Sequence, residues 1–222
     1  MKNKKMKWLV SLLLICGVGA CVLIYNSLGS AAYVYSPESE YDVNYSAASF
    51  SKNYDSIEEL YQEADLVARV KVTNHNFQQE GGLVHTVSNA QLLKVYKGDS
   101  RLKTVKVYEV GGQVDPAKLN LPEKEFDQGN KTTSQKIVED TLEGSPTMRS
   151  GNHYVVFLKK YPGQDFYNVV GSVQGKIKMD KNNQLVGTVK EERVKKDELF
   201  FLQKDYSGKN ADQLEKQINK LK

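Results

Sequence analysis

The sequence predicts a mainly β protein: a small antiparallel β-barrel with a short helix before it and another after it, preceded by a membrane-spanning or signal segment. Three observations carry this. Short stretches with period-two alternation recur, as in Leu66-Val67-Ala68-Arg69-Val70-Lys71-Val72, divided by glycine- and asparagine-containing turns. One run, Tyr154-Val155-Val156-Phe157-Leu158, is apolar throughout, which suits a strand buried on both faces. Finally, about six or seven such strands in one domain tend to close into a barrel, because closure removes exposed edges.

The chain opens with Lys2, Lys4, Lys5 and Lys7, and no acidic residue precedes Glu38. Residues 1–7 therefore read as a basic cytoplasmic end. Residues 8–32 read as an anchor or signal segment. Trp8 to Tyr25 carries no charge, and as a helix would rise about 27 Å, close to the hydrocarbon thickness of a bilayer. Three readings stay open. As an uncleaved anchor, the run exceeds the usual core of a signal peptide. As a cleaved signal peptide, Ser30-Ala31-Ala32 offers small residues for a cut after Ala32. As a lipoprotein, Val18-Gly19-Ala20-Cys21 offers Cys21 for lipidation, although Val22-Leu23-Ile24-Tyr25 continues the apolar run. All three place the body outside the cell: a single-pass membrane protein with an extracellular C-terminal domain, or alternatively a lipoprotein or a secreted protein.

Residues 33–54, rich in Ser, Tyr and Asn without sustained periodicity, read as an extended stalk. The barrel domain is expected over residues 55–205. It opens with the capping-box pattern Ser56-Ile57-Glu58-Glu59 and a helix to about Glu63, with Ile57, Leu60 and Tyr61 on one face. A strand follows over 66–72, with Ala68, Val70 and Val72 on one side and Arg69 and Lys71 on the other. Gly81-Gly82 predicts a turn. The next strand, about Leu83 to Tyr96, alternates imperfectly and is expected to be bulged. Lys97-Gly98-Asp99 makes a tight turn into a strand over Thr104 to Val110, which Gly111-Gly112 is expected to end. Residues 113–150 read as irregular, with a short helix around Thr133 to Leu142. After the apolar strand come strands at Phe166–Val170, Lys176–Met179 and Gln184–Thr188, with Asn182-Asn183 as a hairpin turn. The last segment, 206–222, carries a capped helix with Leu214, Ile218 and Leu221 on one stripe. It either docks on the barrel or binds a partner.

Several of these stretches resemble a known pattern. Ala64-Asp65-Leu66-Val67-Ala68-Arg69-Val70-Lys71-Val72, Leu92-Leu93-Lys94-Val95-Tyr96-Lys97-Gly98-Asp99, Gly111-Gly112 and Gly151-Asn152-His153-Tyr154-Val155-Val156-Phe157-Leu158 follow in order. The arrangement is similar to poorly characterised exported or surface-anchored proteins of Gram-positive bacteria. More distantly, it resembles the netrin-like modules of the tissue inhibitors of metalloproteinases. The resemblance spans roughly residues 56 to 190 and implies an OB-like, netrin-like barrel. Those inhibitors act through a disulfide-pinned N-terminal cysteine. Here the cysteines are Cys16 and Cys21 alone, so that mechanism is not implied.

Composition excludes much chemistry. Without its first four lysines the chain keeps 27 basic residues against 27 acidic ones, so the body lacks the positive field that draws nucleic acid. A cysteine-free body is no disulfide scaffold, Cys-ligated zinc module or thiol enzyme. His75, His85 and His153 stand at no metal-ligand spacing, although His75 and His85 flank the Gly81-Gly82 turn and could meet across a hairpin. Gly98-Asp99-Ser100 lacks the downstream Asp-x-x-His that a lipase-type nucleophile needs, and Val173 fills the serine place in Gly171-Ser172-Val173-Gln174-Gly175. Glu58-Glu59 and Glu191-Glu192 are neighbours that do not converge on one point of a helix. No catalytic, cofactor or metal residue is assigned. The expected function is a membrane-tethered extracellular binding or structural module. Its partner would be another surface protein or the cell wall, met on one barrel face with the 113–150 insertion. The alternatives are an enzyme with unrecognised acid–base residues and a protease-inhibitor-like barrel.

Overall fold

The computed structural model describes residues 32–38, 41–80, 83–114, 137–196 and 198–222. Strands make up 44% of the described residues and helices 18%, so the mainly β class holds. In order, the elements are β1 (Asp42–Ser46), α1 (Ile57–Glu63), β2 (Leu66–Glu80), β3 (Leu83–Lys97), β4 (Thr104–Val114), β5 (Val138–Leu142), β6 (His153–Lys160), β7 (Tyr167–Val169), β8 (Lys176–Met179), β9 (Leu185–Val186), α2 (Glu191–Val194), α3 (Phe201–Tyr206) and α4 (Ala211–Asn219).

Five strands close the barrel. β2 pairs antiparallel with β3 and with β6, and β3 pairs antiparallel with β4. β7 then seals the remaining gap, antiparallel to β6 and parallel to β4. This closed five-stranded arrangement is compatible with an OB-like barrel. The long β2–β3 hairpin is bulged as expected. Its register slips at Val67/Ala68, Arg69/Val70 and Val72/Asn74, leaving Tyr96, Leu93 and Thr73 as extra residues. Each bulge bends and twists the strands, which lets a hairpin of two 15-residue strands curl round a small barrel and still project beyond it.

The apolar run of β6 is buried on both faces. Val156 and Leu158 join Ala68, Val70, Val72, Ala90, Val107 and Val169, a set drawn from all five barrel strands and hence the barrel interior. Val155 and Phe157, pointing the other way, pack with Val67, Ile177, Leu60, Leu202, Leu214 and Ile218 under the helices. The C-terminal helix is thus docked, with Leu214 and Ile218 fully buried. At α1 the Ser56 hydroxyl accepts the Glu59 N–H at 3.3 Å, while the Glu59 carboxylate accepts the Asp55 N–H at 3.3 Å, one residue outside the usual capping box.

Three expectations differ from the structure. Gly111-Gly112 does not end β4. At φ +108° and +142° the two glycines turn the strand onto a second sheet, where Gly111–Val114 pairs with β5. The helix expected around Thr133 to Leu142 is a strand over Val138–Leu142, while residues 133–136 lie outside the described residues. Pairing of β5 with both β4 and β1 overrides its local preference. The 33–54 stretch is no free stalk where it is described. Asp42–Ser46 is β1, parallel to β5. Ahead of it, Val34 exchanges bonds with the Ser207 hydroxyl at 2.9 and 2.8 Å, and Tyr33 donates to Val189 O at 2.5 Å. Residues Tyr33–Lys222 form one unit.

No helix among the described residues is long and apolar enough to cross a membrane. The segment expected to do so, including Cys21, lies outside them. Ala32 is described and exposed. Gly81 and Gly82 are also outside the described residues.

Candidate functional site

The three histidines separate. His75 lies opposite Ser88 and His85 opposite Gln78, so the two do not meet across the hairpin. The Ser150 N–H donates to His75 Nδ1 at 3.0 Å. Burial and then Arg149 hold the His75 ring below the usual histidine range. His153, at the start of β6, is also lowered by burial, Lys71 and Arg69. No group of three metal-ligating side chains occurs among the described residues. Lys97-Gly98-Asp99 serves its turn. Asp99 accepts from the Arg101 backbone N–H and Nε at 2.9 Å each, which holds its carboxyl down to about 2. Lys97 donates to Tyr61 O at 2.6 Å.

The most concentrated polar chemistry is a buried seam between the barrel and the second sheet. Ser145 to Arg149 is an irregular segment that is nevertheless buried, and its polar groups are met by charges. Glu109 accepts the Met148 N–H at 2.9 Å and Lys176 Nζ at 2.6 Å. Lys176 also donates to Pro146 O at 2.5 Å. Arg149 pairs with Glu139, reaches Thr147 at 3.2 Å and lies 4.9 Å over the Phe77 ring. Tyr154 donates to Glu38, which also accepts from Asn152 at 3.0 Å and faces Lys178 at 3.4 Å. Burial raises the Glu38 carboxyl, against the pull of Lys178, Tyr154, Lys176 and Arg149. The Glu38 side chain is 1% exposed, so nothing in solution reaches it. Its role here is to fasten the segment ahead of β1.

A second arrangement reaches the surface at one end, with Tyr161 exposed, Tyr108 and Phe166 half-buried and His85 buried. On the barrel wall four rings form a ladder across two strands and a loop. His85 on β3 meets Tyr108 on β4 at 4.7 Å, and Tyr108 stacks on Phe166 at 5.2 Å. Phe166 meets Tyr161 at 5.1 Å. Tyr161 and Phe166 belong to the β6–β7 loop, which the Tyr161 N–H closes onto Phe166 O at 3.1 Å. At the other end His85 Nε2 meets the Gln78 amide oxygen at 3.2 Å. Gln78 in turn lines a cleft of about 360 Å³ with Asn76, Phe77, Gln79, Val84, Gln113 and Ile137. Behind the cleft sits Glu139, the cross-strand partner of Gln113, with Oε2 buried and without a hydrogen-bond partner. Ladder and cleft therefore meet at Gln78, which joins the rings to the amides. Six large apolar side chains stand out as exposed among the described residues, and three border this strip: Leu83 at 68%, Val110 at 46% and Tyr161 at 46%.

Apart from His85, the strip uses residues that the sequence did not single out. The only local hint was Asn74-His75-Asn76-Phe77-Gln78-Gln79, an amide-rich stretch where an ordinary strand would carry β-branched residues. Of the 113–150 insertion, Gln113 and Ile137 contribute. No protein-family model matches the chain and no curated protein matches it.

Proposed function

We propose that this chain is an extracellular binding module, held to the membrane through its N-terminal segment, which takes its ligand along the ladder-and-cleft strip. The observation that carries this reading is the continuity of the strip: exposed Tyr161, three further rings and then an amide-lined cleft, joined through Gln78 and His85. An exposed ring beside convergent polar groups is a common make-up of a ligand surface. By fold analogy alone, OB barrels bind ligands on the corresponding wall and loops. The surface-protein resemblance carried by Lys97-Gly98-Asp99 and Gly151-Asn152-His153-Tyr154 fits the same reading, as does the four-lysine opening before an uncharged run.

An enzyme would need a perturbed acid or base within reach of substrate. The raised carboxyl of Glu38 is sealed under its own segment, which favours the binding reading.

Two measurements test the proposal on the full-length chain. Protease added to intact cells should digest the body, and the chain in detergent should co-sediment with purified cell envelope. Protection from protease, or a chain that stays in the supernatant, refutes it.

A further inference from the structure

We infer that the strip binds an uncharged glycan strand, one sugar face stacking on Tyr161 and the hydroxyl or acetamido groups of further sugars entering the cleft. The inference rests on the binding-module reading and names its ligand class.

Four features of the strip select this ligand. First, its polar groups are amides. Asn76, Gln78, Gln79 and Gln113 line the cleft, and among the described residues no charged side chain lines it. Each amide offers two donors and one acceptor. Sugar hydroxyl and acetamido groups likewise donate and accept, so they match these partners in either direction. A charged ligand would instead need opposite charge to replace its lost hydration.

Second, the charges beside the ladder are spent on one another. Lys106 lies 3.2 Å and Lys160 3.9 Å from the single carboxylate of Asp165. A nucleic-acid strand needs free cations tracking its backbone, and these two converge on one acid.

Third, the ring ladder lies on a sheet face. His85 on β3 is flanked by β2 and β4, and Tyr108 on β4 by β3 and β7. An extended peptide that binds by adding a strand has no free backbone row to pair with along the ladder.

Fourth, the rings themselves suit a sugar. Tyr161 ends the ladder with one face against Phe166, and almost half of it is exposed. An aromatic face stacks against the C–H face of a sugar by the same dispersion and desolvation that drive other aromatic contacts.

The probe is the N-acetylglucosamine hexamer, titrated calorimetrically into the full-length chain in a non-glycosidic detergent. A sulfated polysaccharide serves as the anionic comparison. The hexamer should bind and the sulfated polymer should not. Tyr161→Ala should weaken binding roughly tenfold, and Gln79→Ala should weaken it several-fold. Leu93→Ser, at an exposed site away from the strip, should leave binding unchanged. Tyr161 and Gln79 are exposed, so both variants should keep the wild-type melting temperature.

If only the sulfated polymer binds while envelope co-sedimentation persists, the glycan inference falls and the binding module stands. If the hexamer binds equally to all variants, the placement on this strip falls. If neither polymer nor envelope binds, both readings fall.

Discussion

Lys176 Nζ lies 2.6 Å from Glu109 Oε1, with both side chains sealed from solvent. The pair spans from β8 to β4 and clamps the buried Pro146–Met148 backbone between them. Attraction between the two charges offsets their desolvation only while both are present. Lys176→Met or Glu109→Gln alone should therefore destabilise the domain by about 3–5 kcal/mol, through the charge left unpaired. The double variant Glu109→Gln/Lys176→Met should recover much of that loss. Denaturant midpoints of the four proteins give the coupling, and additive losses would show that the charges act independently.

Glu38 should give stability an unusual pH dependence. Burial raises its carboxyl in the folded chain, so the folded state holds that proton more tightly than the unfolded state does. Its contribution is full below the ordinary carboxylate range, about 4.3, and is lost as pH rises through the raised folded value. Relative to Glu38→Gln, the wild type should gain stability as pH falls from about 7 towards about 4.5. Chemical denaturation of the two proteins in parallel reads the difference directly. A gap that narrows on acidification would mean that Lys178 and Tyr154 outweigh burial.

Gly98 makes the β3–β4 turn at φ +99°, where an added Cβ would lie 2.8 Å from Asp65 O. Gly98→Ala combines left-handed backbone strain with that clash, and should cost about 1–3 kcal/mol. Gly163, also at positive φ but with nothing near its would-be Cβ, supplies the comparison. Alanine there should cost less, as thermal melts of both variants would record.

The docked C-terminal helix should be part of the folding unit. Leu214 is fully buried against the helical face of the barrel. Leu214→Ala should lose about 2–5 kcal/mol. A helix meant chiefly for a partner would tolerate the change, so near-wild-type stability would reopen the partner-binding reading.

How much of this was legible in advance follows the range of the forces involved. Ser56 and the α1 helix were readable because a cap and its helix are contacts three residues apart. The β6 strand was readable because Tyr154 to Leu158 has no polar residue to face solvent. The bulged β3 showed in its broken alternation. By contrast, Val138–Leu142 becomes a strand through partners at Asp42–Ser46 and Gly111–Val114. Neither the strand nor the onward path of β4 past its glycines is written in local sequence. The candidate site was least legible. His85, Tyr108, Phe166 and Tyr161 show no shared spacing, and Glu38 sits in a stretch that reads as linker.

By itself the sequence determined the class of fold, the main turns, the strand that must be buried twice and the amphipathic end helix, because each depends on hydrophobic period or backbone preference within a few residues. It also set a charge-balanced, cysteine-free body. Tertiary structure alone decided the barrel closure through the parallel β4–β7 pair, the anchoring of Tyr33 to Glu38, the buried ion-pair seam and the ring-and-amide strip. These join residues that are remote in the chain. Which remote groups become neighbours depends on register and on burial, and both exist only once the whole sheet has formed.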